Sequence, residues 1–65
     1  MKMSYFDDSD TLYIKFKADY IVDTKDLDEN TTIDLNSNGD VVAITLEHAS
    51  HRTDIGQLTL PGIAA

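Results

Sequence analysis

A chain of 65 residues with twelve acids, five bases and no cysteine is one small domain, without a disulfide or a thiolate metal site to reinforce it. Its formal charge of −7 argues against direct contact with a nucleic-acid backbone or an anionic membrane, both of which select clustered Lys and Arg. The same charge favours solubility, or a basic protein partner.

Lys2–Phe6 is expected to be a first strand, with Met1, Met3 and Tyr5 alternating against Lys2, Ser4 and Phe6. Asp7-Asp8-Ser9-Asp10 is a run of turn formers. Thr11–Lys17 follows as a second strand, Leu12, Ile14 and Phe16 on one face and Tyr13, Lys15 and Lys17 on the other. A four-residue loop over Asp7–Asp10 pairs Tyr5 with Leu12, Met3 with Ile14 and Met1 with Phe16. It also opposes Lys2 to Lys15, which is mildly unfavourable. Tyr5 and Phe16 are assigned to the core, Tyr13 and Phe6 to the wetter face.

Ala18–Tyr20 is a connection. Ile21–Leu27 is a weaker third strand whose Asp23, Lys25 and Asp26 suit a sheet edge. Asp28-Glu29-Asn30 is a turn, and Asn30 tolerates a left-handed backbone better than most residues.

Thr31–Ser50 is the most specific stretch. Asn38-Gly39 is the preferred dipeptide of a type I′ hairpin turn. A two-residue loop there opposes Ser37 to Asp40, Leu35 to Val42, Ile33 to Ile44 and Thr31 to Leu46; a slip of two residues keeps the parity, so a four-residue loop is the alternative. That face is apolar apart from its ends. The other carries Asn36, Asp34, Thr32, Val41, Ala43 and Thr45, and Val41 and Ala43 make it more apolar than a free surface requires. After Ser50 the pattern fades. Gln57–Leu60 has the alternation of a short extra strand, ended by Pro61-Gly62, and no helix is expected. The fold class is therefore mainly β: a small antiparallel sheet of about five strands, a meander of hairpins, forming one domain over residues 1–50. Residues 51–65 form a C-terminal tail.

No constellation of catalytic type emerges. Asp34-Leu35-Asn36-Ser37-Asn38-Gly39 matches the start of a calcium loop, but the twelfth position is Thr45, which offers no bidentate carboxylate, and the flanks are strands. His48 and His51, beside Glu47 and Asp54, do not fall on one face with metal-site spacing. Asp7, Asp8 and Asp10 have the composition of paired carboxylates, yet a solvated turn accounts for them. No nucleophile with its base and no phosphate loop is visible. Catalytic, cofactor and metal residues are accordingly expected to be absent, and the chain is not expected to be an enzyme.

Tyr5-Phe6-Asp7 followed by Asp10-Thr11-Leu12-Tyr13-Ile14 resembles the opening of the bacterial and archaeal domain-of-unknown-function family 2283. Asp26-Leu27-Asp28, Ile33-Asp34-Leu35-Asn36, Asn38-Gly39-Asp40-Val41-Val42 and Ile44-Thr45-Leu46-Glu47-His48-Ala49-Ser50 resemble its later blocks. An extra residue at Phe6, and Asn30 where the family often has Gly, depart from the pattern. The resemblance implies a short, β-rich protein without an established activity. Some members stand beside small ribonuclease-type toxins, which implies an antitoxin role for those.

The expectation is a small acidic protein–protein interaction module, homo-oligomeric, since a domain of this size buries only about 60% of its unfolded surface. The alternative is an antitoxin-like protein that neutralises a basic ribonuclease-type toxin, with Asp23, Asp26, Asp28 and Glu29 as rim charges that speed encounter. No apolar segment of signal or membrane-spanning type is seen, so the cytoplasm is the expected location.

Overall fold

The computed structural model describes residues 1–54. Five strands, β1 (Lys2–Phe6), β2 (Thr11–Lys15), β3 (Asp23–Asp28), β4 (Thr31–Leu35) and β5 (Val41–Leu46), are followed by a one-turn helix, α1 (Ala49–Arg52). The strands make one antiparallel sheet in the order β1-β2-β5-β4-β3. The expected extra strand at 57–60 lies outside the described residues.

Composition accounts for this order. VVAITL of β5 is the most apolar strand and takes the centre, where both neighbours cover it. DTKDLD of β3 is exposed along its whole length and takes an edge, where charge opposes further strand pairing. The chain is therefore not a simple meander. β3, β4 and β5 run as consecutive hairpins, and β5 then inserts beside β2, which makes β2 to β5 a Greek key. The connection from residue 16 to 22 crosses the end of the sheet that carries the β4–β5 turn; there Val22 N–H donates to Leu35 O at 2.9 Å.

The first hairpin has the expected register, with Lys2 opposite Lys15, Met3 opposite Ile14 and Tyr5 opposite Leu12. The body of the β4–β5 hairpin does too, with Thr31 opposite Leu46 and Ile33 opposite Ile44. Its tip differs. Leu35 faces Val41 rather than Val42, Asn36 N–H donates to Asp40 O at 3.1 Å, and Gly39 N–H donates to Asn36 O at 3.0 Å. Gly39 has φ 83° while Asn38 is not left-handed, so the loop is Ser37–Gly39 and not a two-residue type I′ turn. The cause is Asn36, whose Oδ1 accepts the amides of both Asn38 and Asp40 at 2.9 Å. The side chain starts the turn one residue early, and a bulge opposite Asp34/Leu35 restores the register.

The third strand begins two residues later than expected. Ile21 and Val22 lie before it at 45% and 62% exposure, and Leu27 bulges out between Asp26 and Asp28. Among the described residues the left-handed ones outside glycine are Asp10 and His48, not Asn30. Asn30 is held instead by its amide, which donates to Asp28 Oδ1 at 2.8 Å.

Register assigns the two faces. Met3, Tyr5, Leu12, Ile14, Ile33, Leu35, Ile44 and Leu46 share one. Lys2, Ser4, Tyr13, Lys15, Thr32, Asp34, Ala43 and Thr45 share the other. Among the described residues the fully buried apolar side chains are Leu12, Val42, Ala43 and Ala49. Tyr5 and Phe16, expected in the core, are 39% and 42% exposed: Tyr5 lies on the edge strand β1 and Phe16 just past the end of β2. Ala43 is closed off between Lys15 and Asp34 of the neighbouring strands, so it adds no free apolar surface to the polar face. The bulge removes Val41 from regular alternation with it.

Candidate functional site

The polar side chains gather at the two ends of the sheet. At the end that carries the β1–β2 and β3–β4 turns, α1 is fastened from both sides. His48 turns the chain with φ 55° and provides no side-chain cap. The free amides of the first turn are met from far away in sequence instead. Ala49 N–H donates to Asp10 O at 2.9 Å, and Ser50 N–H donates to Asp10 Oδ1 at 3.1 Å. Asp10 thus caps a helix forty positions downstream. Its carboxylate also accepts the Ser50 hydroxyl at 2.7 Å and the Tyr5 hydroxyl at 2.5 Å.

Arg52 holds the other side. Its Nη1 donates to Asn30 O at 2.7 Å and to Glu47 O at 3.3 Å. Its Nη2 reaches Thr31 Oγ1 and lies 3.8 Å from Asp28 Oδ2. Thr31 is buried at this contact.

These bonds set the local electrostatics. The Tyr5 hydroxyl first, and Ser50 next, hold the Asp10 carboxyl below the usual carboxylate value. The same bond to Asp10 raises Tyr5 above the usual phenol. The Asn30 amide lowers Asp28. A carboxylate made more acidic by two donors is a weak base, and the Ser50 hydroxyl donates its hydrogen bond directly to it with no imidazole between them. Asp10 was expected in a solvated turn with Asp7 and Asp8; the turn is there, but Asp10 is half-buried and committed to α1. A left-handed non-glycine residue was the signal for this in the backbone, and one helical turn is too short to show periodicity in sequence.

At the opposite end Asn36 is the organiser. It is buried, and its Nδ2 donates to Asp19 Oδ2 at 2.9 Å. That bond is the main cause of a lowered Asp19 carboxyl. Lys17 Nζ pairs with Asp40 Oδ2 at 3.2 Å. A shallow hollow of about 250 Å³ beside it is lined by Met1, Lys2, Lys15, Lys17 and Ala18.

Of the calcium-like stretch, Asn36 spends its oxygen on loop amides and Asp34 accepts the Thr24 hydroxyl at 2.9 Å from within β4. No group of three or more His, Cys, Asp or Glu that could hold a metal ion occurs among the described residues. His48 and His51 are both exposed, one before α1 and one within it. Asp23, Asp26 and Asp28 lie along exposed β3, with Glu29 just beyond its end. No helix among the described residues is long and apolar enough to cross a membrane.

The fold and its fastened ends define a class: a single antiparallel sheet with one apolar face, closed at one end by a helical turn held from both sides. The chain belongs to the family described as Protein of unknown function (DUF2283), whose model matches residues 2–50. The match ends within α1, so it takes in Tyr5, Asp10 and Ser50 but not Arg52. No curated protein and no solved structure matches the chain.

Proposed function

We propose that the chain is a non-enzymatic protein-interaction module that works as a homo-oligomer in the cytoplasm. The observation that carries this is the apolar sheet face. Met3, Ile14, Ile44 and Ile33 form a row across four strands, and none of them is fully buried. The polar groups that could have been reactive are engaged in fastening α1 and the loop at Asn36. Light scattering on the eluting peak of a size-exclusion column tests the reading. Mass should rise above that of one chain within the micromolar range, and a monomer throughout would sink it.

A second reading has its own support in β3. The exposed Asp23, Asp26 and Asp28, followed by Glu29, present a run of acids on an edge strand, which suits the rim of a contact with a basic protein. In this reading the chain is an antitoxin-like partner of a basic ribonuclease-type toxin. Co-purification from the native host and inspection of the genes on either side test it. If no small basic protein is encoded nearby or co-purifies, the reading is to be dropped.

A further inference from the structure

We infer that the outer edge of β1 is a strand-addition site whose occupant is β1 of a second copy, the two strands pairing antiparallel about Ser4. The inference rests on the homo-oligomer reading and names the contact. Its first ground is where the free backbone groups point. Phe16 N–H donates to Val42 O at 2.7 Å, and on the other side of β5 Glu47 N–H donates to Asn30 O at 2.9 Å. Bonding alternates from side to side along an antiparallel strand. Leu12, Ile14 and Phe16 therefore bond β5, while Thr11, Tyr13 and Lys15 bond β1, where they face Phe6, Ser4 and Lys2. Met3 and Tyr5 are left with N–H and C=O groups aimed away from the sheet. Among the described residues these groups meet no partner.

The second ground is the contrast between the two edges. β3 is guarded: it carries three Asp and one Lys, and Leu27 is bulged between Asp26 and Asp28. Its outward Thr24 amide is already met by Asp23 Oδ1 at 2.9 Å. Such devices oppose strand addition. On β1 no shift interrupts the register with β2, and the one charge, Lys2, stands at the first position. Tyr5 and Phe6 are 39% and 50% exposed there. Self-complementarity is the third ground. Pairing about Ser4 uses the whole of Lys2–Phe6. It sets Met3 opposite the partner's Tyr5, where each N–H meets the other's C=O and the symmetry repeats the exchange. Lys2 then faces the partner's Phe6, and Ser4 faces the partner's Ser4. An ammonium over a ring and a thioether beside one are favourable contacts, and no like charges oppose each other. The two-fold axis stands normal to the sheet, so both apolar faces lie on one side. Such a pair is closed, whereas adding β1 to the guarded β3 edge would be open-ended.

Amide hydrogen exchange followed by NMR on the full chain at rising concentration reads this edge residue by residue. The Met3 and Tyr5 amides should slow at least ~10-fold as the dimer forms. An oligomer in which both still exchange fast would overturn the edge and leave self-association standing. A monomer at every concentration would overturn both readings; slow Met3 and Tyr5 amides in that monomer would make residues 55–65 of the same chain the occupant. Met3→Pro removes an outward N–H and no bond of the β1–β2 ladder, so the fold should persist by circular dichroism. Its dimer dissociation constant should rise at least ~10-fold. Met3→Leu keeps the N–H and should dimerise as the native chain does. Equal dimerisation of the Pro and Leu variants would refute main-chain pairing at β1.

Discussion

Ser50 Oγ lies 2.7 Å from the Asp10 carboxylate, a hydrogen bond between residues forty positions apart. With the Asp10 bonds to the Ala49 and Ser50 amides, it makes the first turn and the last described element one unit. Asp10→Asn keeps the size and removes the charge, and its amide group meets donors rather than acceptors. The melting temperature should fall by several degrees at pH 7. The pH dependence has a definite sign. The folded Asp10 carboxyl lies below its ordinary 3.8, so its stabilisation is fully present above that value and is lost as pH falls through the folded one. The gap between native and variant melting curves should therefore be constant from neutrality to about pH 5 and shrink below pH 4. A gap that widened in acid would refute the assignment.

Arg52 makes a forked contact with Asn30, Thr31 and Glu47, a geometry that a lysine ammonium does not reproduce. Arg52→Lys should cost about 1–2 kcal/mol of stability, the scale of lost charge-assisted hydrogen bonds. Chemical denaturation at neutral pH measures it. Because two of the acceptors are backbone carbonyls, high salt should recover little of the difference; full equality of the two proteins in high salt would mean that the distant Asp28 pairing at 3.8 Å is the main contribution.

The sequence made the two hairpin registers legible because apolar alternation and turn composition agree over Tyr5–Leu12 and over Ile33–Ile44. The aspartates of β3 likewise marked it as an edge. The junction of β2 with β5 was not legible, since no local signal records which hairpin a strand will meet. At Asn38-Gly39 the dipeptide marks a turn, but Asn36, two positions earlier, decides its type by capturing amides. An Asn placed before Ser-Asn-Gly is the signal that could have found it. The site around Asp10 was hidden for another reason: its partners come from Tyr5, Ala49 and Ser50, and α1 is only four residues long.

Asn36 gives a test of that loop. Asn36→Ala leaves the amides of Asn38 and Asp40 without their acceptor and should cost about 1–3 kcal/mol. Asn36→Asp keeps the acceptor but sets a new carboxylate beside Asp19 and Asp40, the present partners of Nδ2. Its deficit at pH 7 should diminish as the pH is lowered toward 4.5, because protonation relieves a carboxyl raised by its neighbours. A deficit that does not change with pH would show that Asp19 has moved away.

Gly39 is a cleaner case because space is not at issue. A Cβ built there meets nothing within 4 Å, and only the positive φ of 83° resists it. Gly39→Ala should therefore cost about 1 kcal/mol, Gly39→Val more, and Gly39→Asn less than either. Thermal melts of the three rank them. Equal stability of the Val and Asn variants would remove the left-handed turn from the account of this hairpin.

Salt separates the two proposed functions without any mutation. Each chain carries −7, so two copies brought face to face repel across their rims while aliphatic side chains attract at the centre. Salt shortens the reach of that repulsion to about 8 Å at physiological ionic strength and about 3 Å at 1 M. Self-association through the apolar face should therefore strengthen as salt is raised. Contact between the β3 acids and a basic partner should weaken under the same change, mainly through slower encounter. Sedimentation velocity across a salt series, with the chain alone and then with any co-purifying basic protein, measures both directions. A homo-oligomer that dissociates as salt rises would have to be held by charge pairs, which the aliphatic face does not provide.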